Sequence, residues 1–237
     1  MLGDLAECNL GVMTMDARDL LEFERDLVGR GEVVVGIDEV GRGALAGPML
    51  VGAATVRTCE EPPEGLDDSK RLSHAQRVSL VDPLQSWVLE WSLGVVSVTE
   101  IDEWGMRLAL AVGATRALER LHCAPTHALV DGPLNLLSAE RSFRGEAVTT
   151  CPPFTFEHLP VTTIVDGDQR SAVIAAAAVL AKVERDSMMV DLDLECSDYG
   201  WGRNKGYGVP EHLEAIRRVG VSVHHRVSWN LPEKTLF

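Results

Sequence analysis

No apolar run in the sequence is long enough to span a membrane, and no basic-then-apolar leader opens it, so a soluble, cytoplasmic protein is expected. It has no Cys-x-x-Cys pair. Its five cysteines, Cys8, Cys59, Cys123, Cys151 and Cys196, are odd in number and scattered, which indicates reduced thiols rather than a disulfide framework. His122, Cys123 and His127 lie close together, but no second ligand cluster answers them, and a zinc site is disfavoured. No Gly-Lys-Ser/Thr follows a glycine loop, which removes the Walker reading. Gly41, Gly43 and Gly47 have the wrong last spacing for a dinucleotide fingerprint, and Pro48 leads into a strand-like run rather than a helix. Bases are also scarce, with 22 Lys and Arg against 36 Asp and Glu and a net charge of −14. On its face that opposes a nucleic-acid partner, whose phosphates are met mainly by clustered Lys and Arg.

The distribution of charge weakens this objection. Residues 1–40 hold ten acids against three bases, so half of the negative excess lies at the start. Residues 203–228 hold five bases (Arg203, Lys205, Arg217, Arg218, Arg226) against Glu211 and Glu214, with three histidines besides. A local basic surface is compatible with an acidic chain.

The 46% hydrophobic content over 237 residues can bury a substantial core. A lead-in helix is expected over 16–28, after a flexible tail over 1–15, with strands at 33–38 and 49–57 next. Ser73 caps a helix running to about Gln85, where Pro83 marks a kink or a terminus. A strand over 91–98 precedes a long helix capped by Thr99, and buried strands follow at 127–132 and 161–165. The alanine-rich stretch from Ser171 to Met189 reads as a helix buried on most sides. Gly200 to Gly208 reads as a loop, and Pro210 opens a last helix to Val219. Residues 133–155 are an irregular excursion, long for a loop in a compact domain.

The chemistry concentrates in Gly36-Ile37-Asp38-Glu39-Val40-Gly41-Arg42-Gly43, between two apolar strands. Successive side chains of a strand face opposite ways, so Asp38 and Glu39 reach one ligand only if the strand ends or bends there. Two further strands end in acids, at Asp131 and at Asp166-Gly167-Asp168. Taken singly, each is an ordinary turn residue. Gathered at one sheet edge they would repel, and hard divalent ions resolve that repulsion. Oxygen-only ligation suits magnesium or manganese, and two such ions about 4 Å apart make a phosphodiester hydrolase.

These segments, with Asp68-Ser69-Lys70, Ala181-Lys182-Val183-Glu184-Arg185-Asp186 and Asn204-Lys205-Gly206-Tyr207-Gly208 through His212, resemble in order the motif set of bacterial ribonuclease HII. The resemblance covers roughly residues 16–229. It implies an α/β, RNase H-like fold: a mixed central sheet flanked by helices, in one domain over 16–237, with a small helical C-terminal part from about 190. It implies that Asp38, Glu39, Asp131 and Asp168 hold two Mg2+ or Mn2+ ions, Asp168 being preferred over Asp166. By the same resemblance, Gly41, Arg42 and Gly43 read a ribonucleotide 2′-hydroxyl and Tyr207 packs on the sugar at the RNA–DNA junction. Ser69 and Lys70 would contact phosphates. Lys182 and Arg185 would do the same, or else pair with neighbouring acids on the helix surface.

The implied reaction cuts RNA–DNA hybrids, and DNA duplexes 5′ to single ribonucleotides, leaving 3′-hydroxyl and 5′-phosphate ends. The implied state is a monomer without membrane contact. A catalytically silent nucleic-acid binder on the same fold is the alternative. Ala178 stands where the family commonly has serine, and the stretch between Asp131 and Asp168 is longer than the bacterial pattern. No sliding-clamp motif is evident beyond a terminal Leu236-Phe237.

Overall fold

The computed structural model describes residues 20–233. The expected tail over 1–15, the first residues of the lead-in helix and Leu236-Phe237 lie outside them. Helix α1 (Glu22–Gly29) leads to strands β1 (Val34–Val40) and β2 (Met49–Val56), then α2 (His74–Trp87), β3 (Glu90–Val96), α3 (Val98–Glu119) and β4 (His127–Asp131). A two-residue-strand hairpin, β5 (Ser142–Phe143) and β6 (Glu146–Ala147), precedes β7 (Val161–Ile164). The chain finishes with α4 (Ala172–Glu195), α5 (Trp201–Asn204) and α6 (Pro210–Val219).

The main sheet has the order β3-β2-β1-β4-β7. The β1–β2 and β2–β3 pairs are antiparallel, whereas β1–β4 and β4–β7 are parallel, so the sheet is mixed. Helices cover both faces. Val34, Ala54 and Leu129 pack with Val173, Ile174 and Ala177 of α4, while Val35, Ile37, Ala128 and Val130 pack with Ala109, Leu110 and Ala114 of α3. Burial on both faces is why β1 and β2 read as continuous apolar runs rather than alternating ones. The alanines of α4 let it lie close on the sheet, and Gly36 completes that fit: a Cβ there would run into the backbone of Val173 and Ile174.

Several boundaries differ from the sequence expectation. Strand β1 does not end at Asp38 but runs on through Glu39 to Val40, and Gly41 makes the turn at φ +83°. Ser97, not Thr99, caps α3, in a reciprocal capping box with Glu100 that satisfies two helix-start N–H groups. Helix α2 continues past Pro83 to Trp87; Pro83 and Ser79, whose carbonyl loses its helical partner, are both exposed to water. Within the glycine-rich 200–208 stretch, Trp201–Asn204 forms a short helix because the indole of Trp201 is wholly buried there. The 133–155 excursion covers the outer side of α3, where Cys151 and Phe154 pack on Trp104, Leu108 and Val112.

Candidate active site

The β1–β4 register pairs Ile37 with Val130, which sets Asp38 and Asp131 abreast, one position on. Val34 and Leu129 of these strands face α4, and side-chain alternation puts Asp38 and Asp131 on that same face. Asp168, in the 3-10 turn Gly167–Gln169 between β7 and α4, closes the group. Asp168 is 2% exposed, whereas Asp166 is exposed and left-handed at φ 54°. Glu39 leaves β1 on the opposite face, half-buried, with Arg42 Nη1 3.3 Å from its Oε1.

Burial pushes the Asp38 carboxyl well above its usual range, and the charges of Glu39, Asp131 and Asp168 push it the same way. Asp168 is raised to about 6, first by burial, with Lys70 opposing. Burial also raises Glu39, against the pull of Arg42. Although burial works to lower it, the Lys70 ammonium is held above its usual value by Asp168, whose Oδ2 lies 3.2 Å from Nζ. Asp168 also shares a side-chain hydrogen bond with Asp68, and main-chain donors anchor the other two aspartates. Glu39 N–H donates to Asp38 Oδ1 (2.8 Å), and Gly167 N–H donates to Asp131 Oδ1 (2.7 Å).

The acids thus act on one another electrostatically, yet among the described residues no three His, Cys, Asp or Glu side chains form a ready-made metal cage. Mutual repulsion opposes such a cage, and a divalent cation is the partner that reverses it. An all-carboxylate donor set fits magnesium or manganese and does not favour zinc.

Beside the acids, residues 41–48 turn over two buried arginines. Arg226 donates to the carbonyls of Gly41 (2.7 Å), Arg42 (2.8 Å) and Gly47 (3.0 Å). Arg185 donates to those of Pro48 (2.9 Å), Lys205 (3.0 Å) and Ala46 (3.3 Å). Gly41 packs so closely on Arg185 that no Cβ fits, while Gly43 faces open space. Tyr207 is half-buried, its ring 5.5 Å from the Arg185 guanidinium and 5.9 Å from Lys182 Nζ. Its carbonyl accepts from His212 Nδ1 at 3.0 Å. His212 Nε2 meets Trp201 Nε1 (3.0 Å) and His225 Nε2 (3.1 Å) in a buried ring cluster.

Four of the expected substrate contacts have partners within the protein. Arg185 is fully buried and donates to the loop carbonyls of Pro48, Lys205 and Ala46 rather than pairing on the helix surface. Lys182 is mostly covered and pairs with Asp186 at 2.5 Å, the expected alternative, with Arg77 3.6 Å from the same carboxylate. Ser69 is 5% exposed, and its carbonyl accepts from Arg77. Lys70 is exposed but turned toward Asp168, inside the acid group rather than beside it. Arg42 keeps an exposed side chain. Sequence reasoning missed Arg226, Arg77 and the His212–His225 pair as organisers, because no local pattern distinguishes a buried Arg or His from a surface one.

The family profile described as Ribonuclease HII matches residues 35–231. Ribonuclease HII of Streptomyces avermitilis is 40% identical over 198 residues, spanning 84% of this chain and 77% of that protein. Ribonuclease HII of Geobacillus thermodenitrificans is 40% identical over 212 residues, spanning 89% and 74%. The ribonuclease H2 structure from Pyrococcus horikoshii OT3 superposes with a TM-score of 0.61 at 26% identity, covering 84% of this chain and 94% of that one. The RNase HII chain from the PCNA:RNase HII complex of Archaeoglobus fulgidus gives 0.64 at 26%, covering 86% and 98%. Bst-RNase HIII in complex with Mn2+ shares the fold at 0.55 and 20% identity, covering 80% and 63%.

Proposed function

The chain belongs to the ribonuclease HII family, and from that premise we propose that it cuts RNA–DNA hybrids, and DNA duplexes 5′ to a single embedded ribonucleotide, by a two-metal mechanism. As a family member it is a metal-dependent ribonuclease H of type 2 with endoribonuclease activity. The observation that carries the finer reading is the pairing of Asp38 with Asp131 on one sheet face, closed by Asp168 and bordered by the Gly41–Arg42–Gly43 turn.

Asp38, Asp131 and Asp168 would hold the ions from the α4 face, and Glu39, on the other face one residue before β1 ends, would reach them only by swinging round the strand edge. Bound there, two magnesium or manganese ions supply water activation and charge neutralisation at the leaving oxygen. Water adds to phosphorus as the bond to the 3′-oxygen breaks, which leaves 3′-hydroxyl and 5′-phosphate ends. Lys70, exposed but paired with Asp168, would turn to the scissile phosphate once metal ions engage that carboxylate. The open backbone at Gly43 lets a ribose approach closely enough for main-chain groups to read its 2′-hydroxyl, the group that separates RNA from DNA. Tyr207, braced by Lys182 and Arg185, offers its ring to the sugar at the junction. Residues 16–237 act as one catalytic domain and a monomer, with 133–155 as an insertion.

The test is a labelled DNA duplex with one ribonucleotide, incubated with Mg2+ or Mn2+ beside an all-DNA duplex. One cut 5′ to the ribonucleotide and none in all-DNA is expected. Binding without cutting under either metal would favour a silent binder.

A further inference from the structure

The guanidinium of Arg226 is wholly buried, and every acceptor given above for it is a main-chain carbonyl of the 41–47 turn. Burial and the neighbouring Arg185 charge lower its pKa to about 9. A buried charge is a costly way to fill that space, and its hydrogen bonds to the turn only offset the cost of desolvation. What the arginine supplies instead is geometry. Its planar fork fixes three carbonyls at once, which a lysine's single ammonium cannot reproduce.

Arg226 is itself held in place. Its own N–H donates to the Leu45 carbonyl (2.9 Å). The next two residues, Val227 and Ser228, donate their N–H groups to the Asp102 carboxylate of α3 at 2.9 and 3.0 Å. On the far side of this strap, Arg144 of the 133–155 insertion donates to the Ser228 carbonyl (3.2 Å). Helix α3 breaks its helical geometry at Gly105 (φ +74°), one turn past Asp102, where Phe143 of the insertion occupies the space a Cβ would need. A continuous set of contacts therefore runs from the insertion through α3 and the strap to the underside of the turn.

We propose that Arg226 is a positioning residue for ribonucleotide recognition, latched by Asp102, and that the strap they form holds the Gly41–Arg42–Gly43 backbone in its 2′-hydroxyl-reading conformation. This rests on the reading of that turn given under the proposed function. Neither residue touches substrate; both act through the turn.

The experiment measures KM for the single-ribonucleotide duplex and Ki for an all-DNA duplex as competitor, in the full chain. The ratio Ki/KM reports sugar discrimination and does not depend on the fraction of active enzyme. In Arg226→Lys this ratio falls by about fivefold or more, as KM rises and Ki holds. In Asp102→Ala it falls about twofold to threefold. Asp102 is only half-buried, so this variant carries the test should Arg226→Lys fail to fold. A wild-type ratio retained in folded Arg226→Lys, or in Asp102→Ala where the first is insoluble, overturns the proposal. A wild-type protein with a ratio near one would instead sink the 2′-hydroxyl reading, and this inference with it.

Discussion

Two neighbouring regions bury charge of opposite sign and settle it differently. At the strand ends, Asp38 and Asp168 are nearly inaccessible and raised in pKa, with Lys70 the cation at 3.2 Å from Asp168. Under the adjoining turn, Arg185 and Arg226 are fully buried and lowered in pKa. The arginines are met from within, by six backbone hydrogen bonds to the 41–48 and 205 carbonyls. The acids are met less fully, by one main-chain N–H each at Asp38 and Asp131 and by Lys70 at Asp168, and they still repel one another. A region that satisfies its own charge is scaffold, whereas one that leaves its charge to be neutralised by a cation is a binding site.

The difference predicts that removing one charge has opposite consequences for stability in the two regions. Asp38→Asn should reduce cleavage by on the order of 10³-fold or more, as loss of a preorganised electrostatic group does. In chelator, the same variant should be more stable than wild type by about 1 kcal/mol, since it relieves a buried like-charge contact. Arg226→Met should go the other way, losing about 2–4 kcal/mol in urea titrations by leaving carbonyls unpaired. Equal signs for the two variants would break the contrast.

Acid pH separates the regions more gently. His225 beside the arginines is lowered to about 4, by burial first and then by His212. Its contribution is present above the ordinary histidine value near 6.5 and is lost as pH falls toward 4. Asp168 has the opposite slope: its folded pKa of about 6 lies above the ordinary value near 3.9, so its contribution is present at low pH and is lost as pH rises through 6. In chelator the two slopes oppose each other. Asp168→Asn should remove one opposing slope, with urea midpoints falling more steeply from pH 6.5 to 4 than in wild type. A variant profile parallel to wild type would contradict the assignment.

The acid region was largely legible in the sequence, because strand periodicity and a carboxylate at each strand end survive without knowledge of tertiary contacts. Asp38, Asp131 and Asp168 could be placed together from the expectation that strand ends share an edge. Glu39 could not be placed fully: β1 continues through it, so it projects from the other face. The arginine region was illegible. Arg226 lies more than 180 residues from the carbonyls of Gly41 and Arg42 it holds, and Arg185 in a helix pattern looks like a surface base until α4 is known to run under the turn. Ser97 and Thr99 are both residue types that cap a helix, and the reciprocal bond with Glu100 selects Ser97.

The most direct measurement is calorimetric titration of Mn2+ into the metal-free protein and into Asp38→Asn. Saturable binding in the wild type, with a thermal stabilisation that grows with Mn2+ concentration, and loss of both in the variant, is the predicted result. Equal binding in the two proteins, or none in either, would contradict the claim that the Asp38, Asp131 and Asp168 carboxylates are settled by a divalent ion.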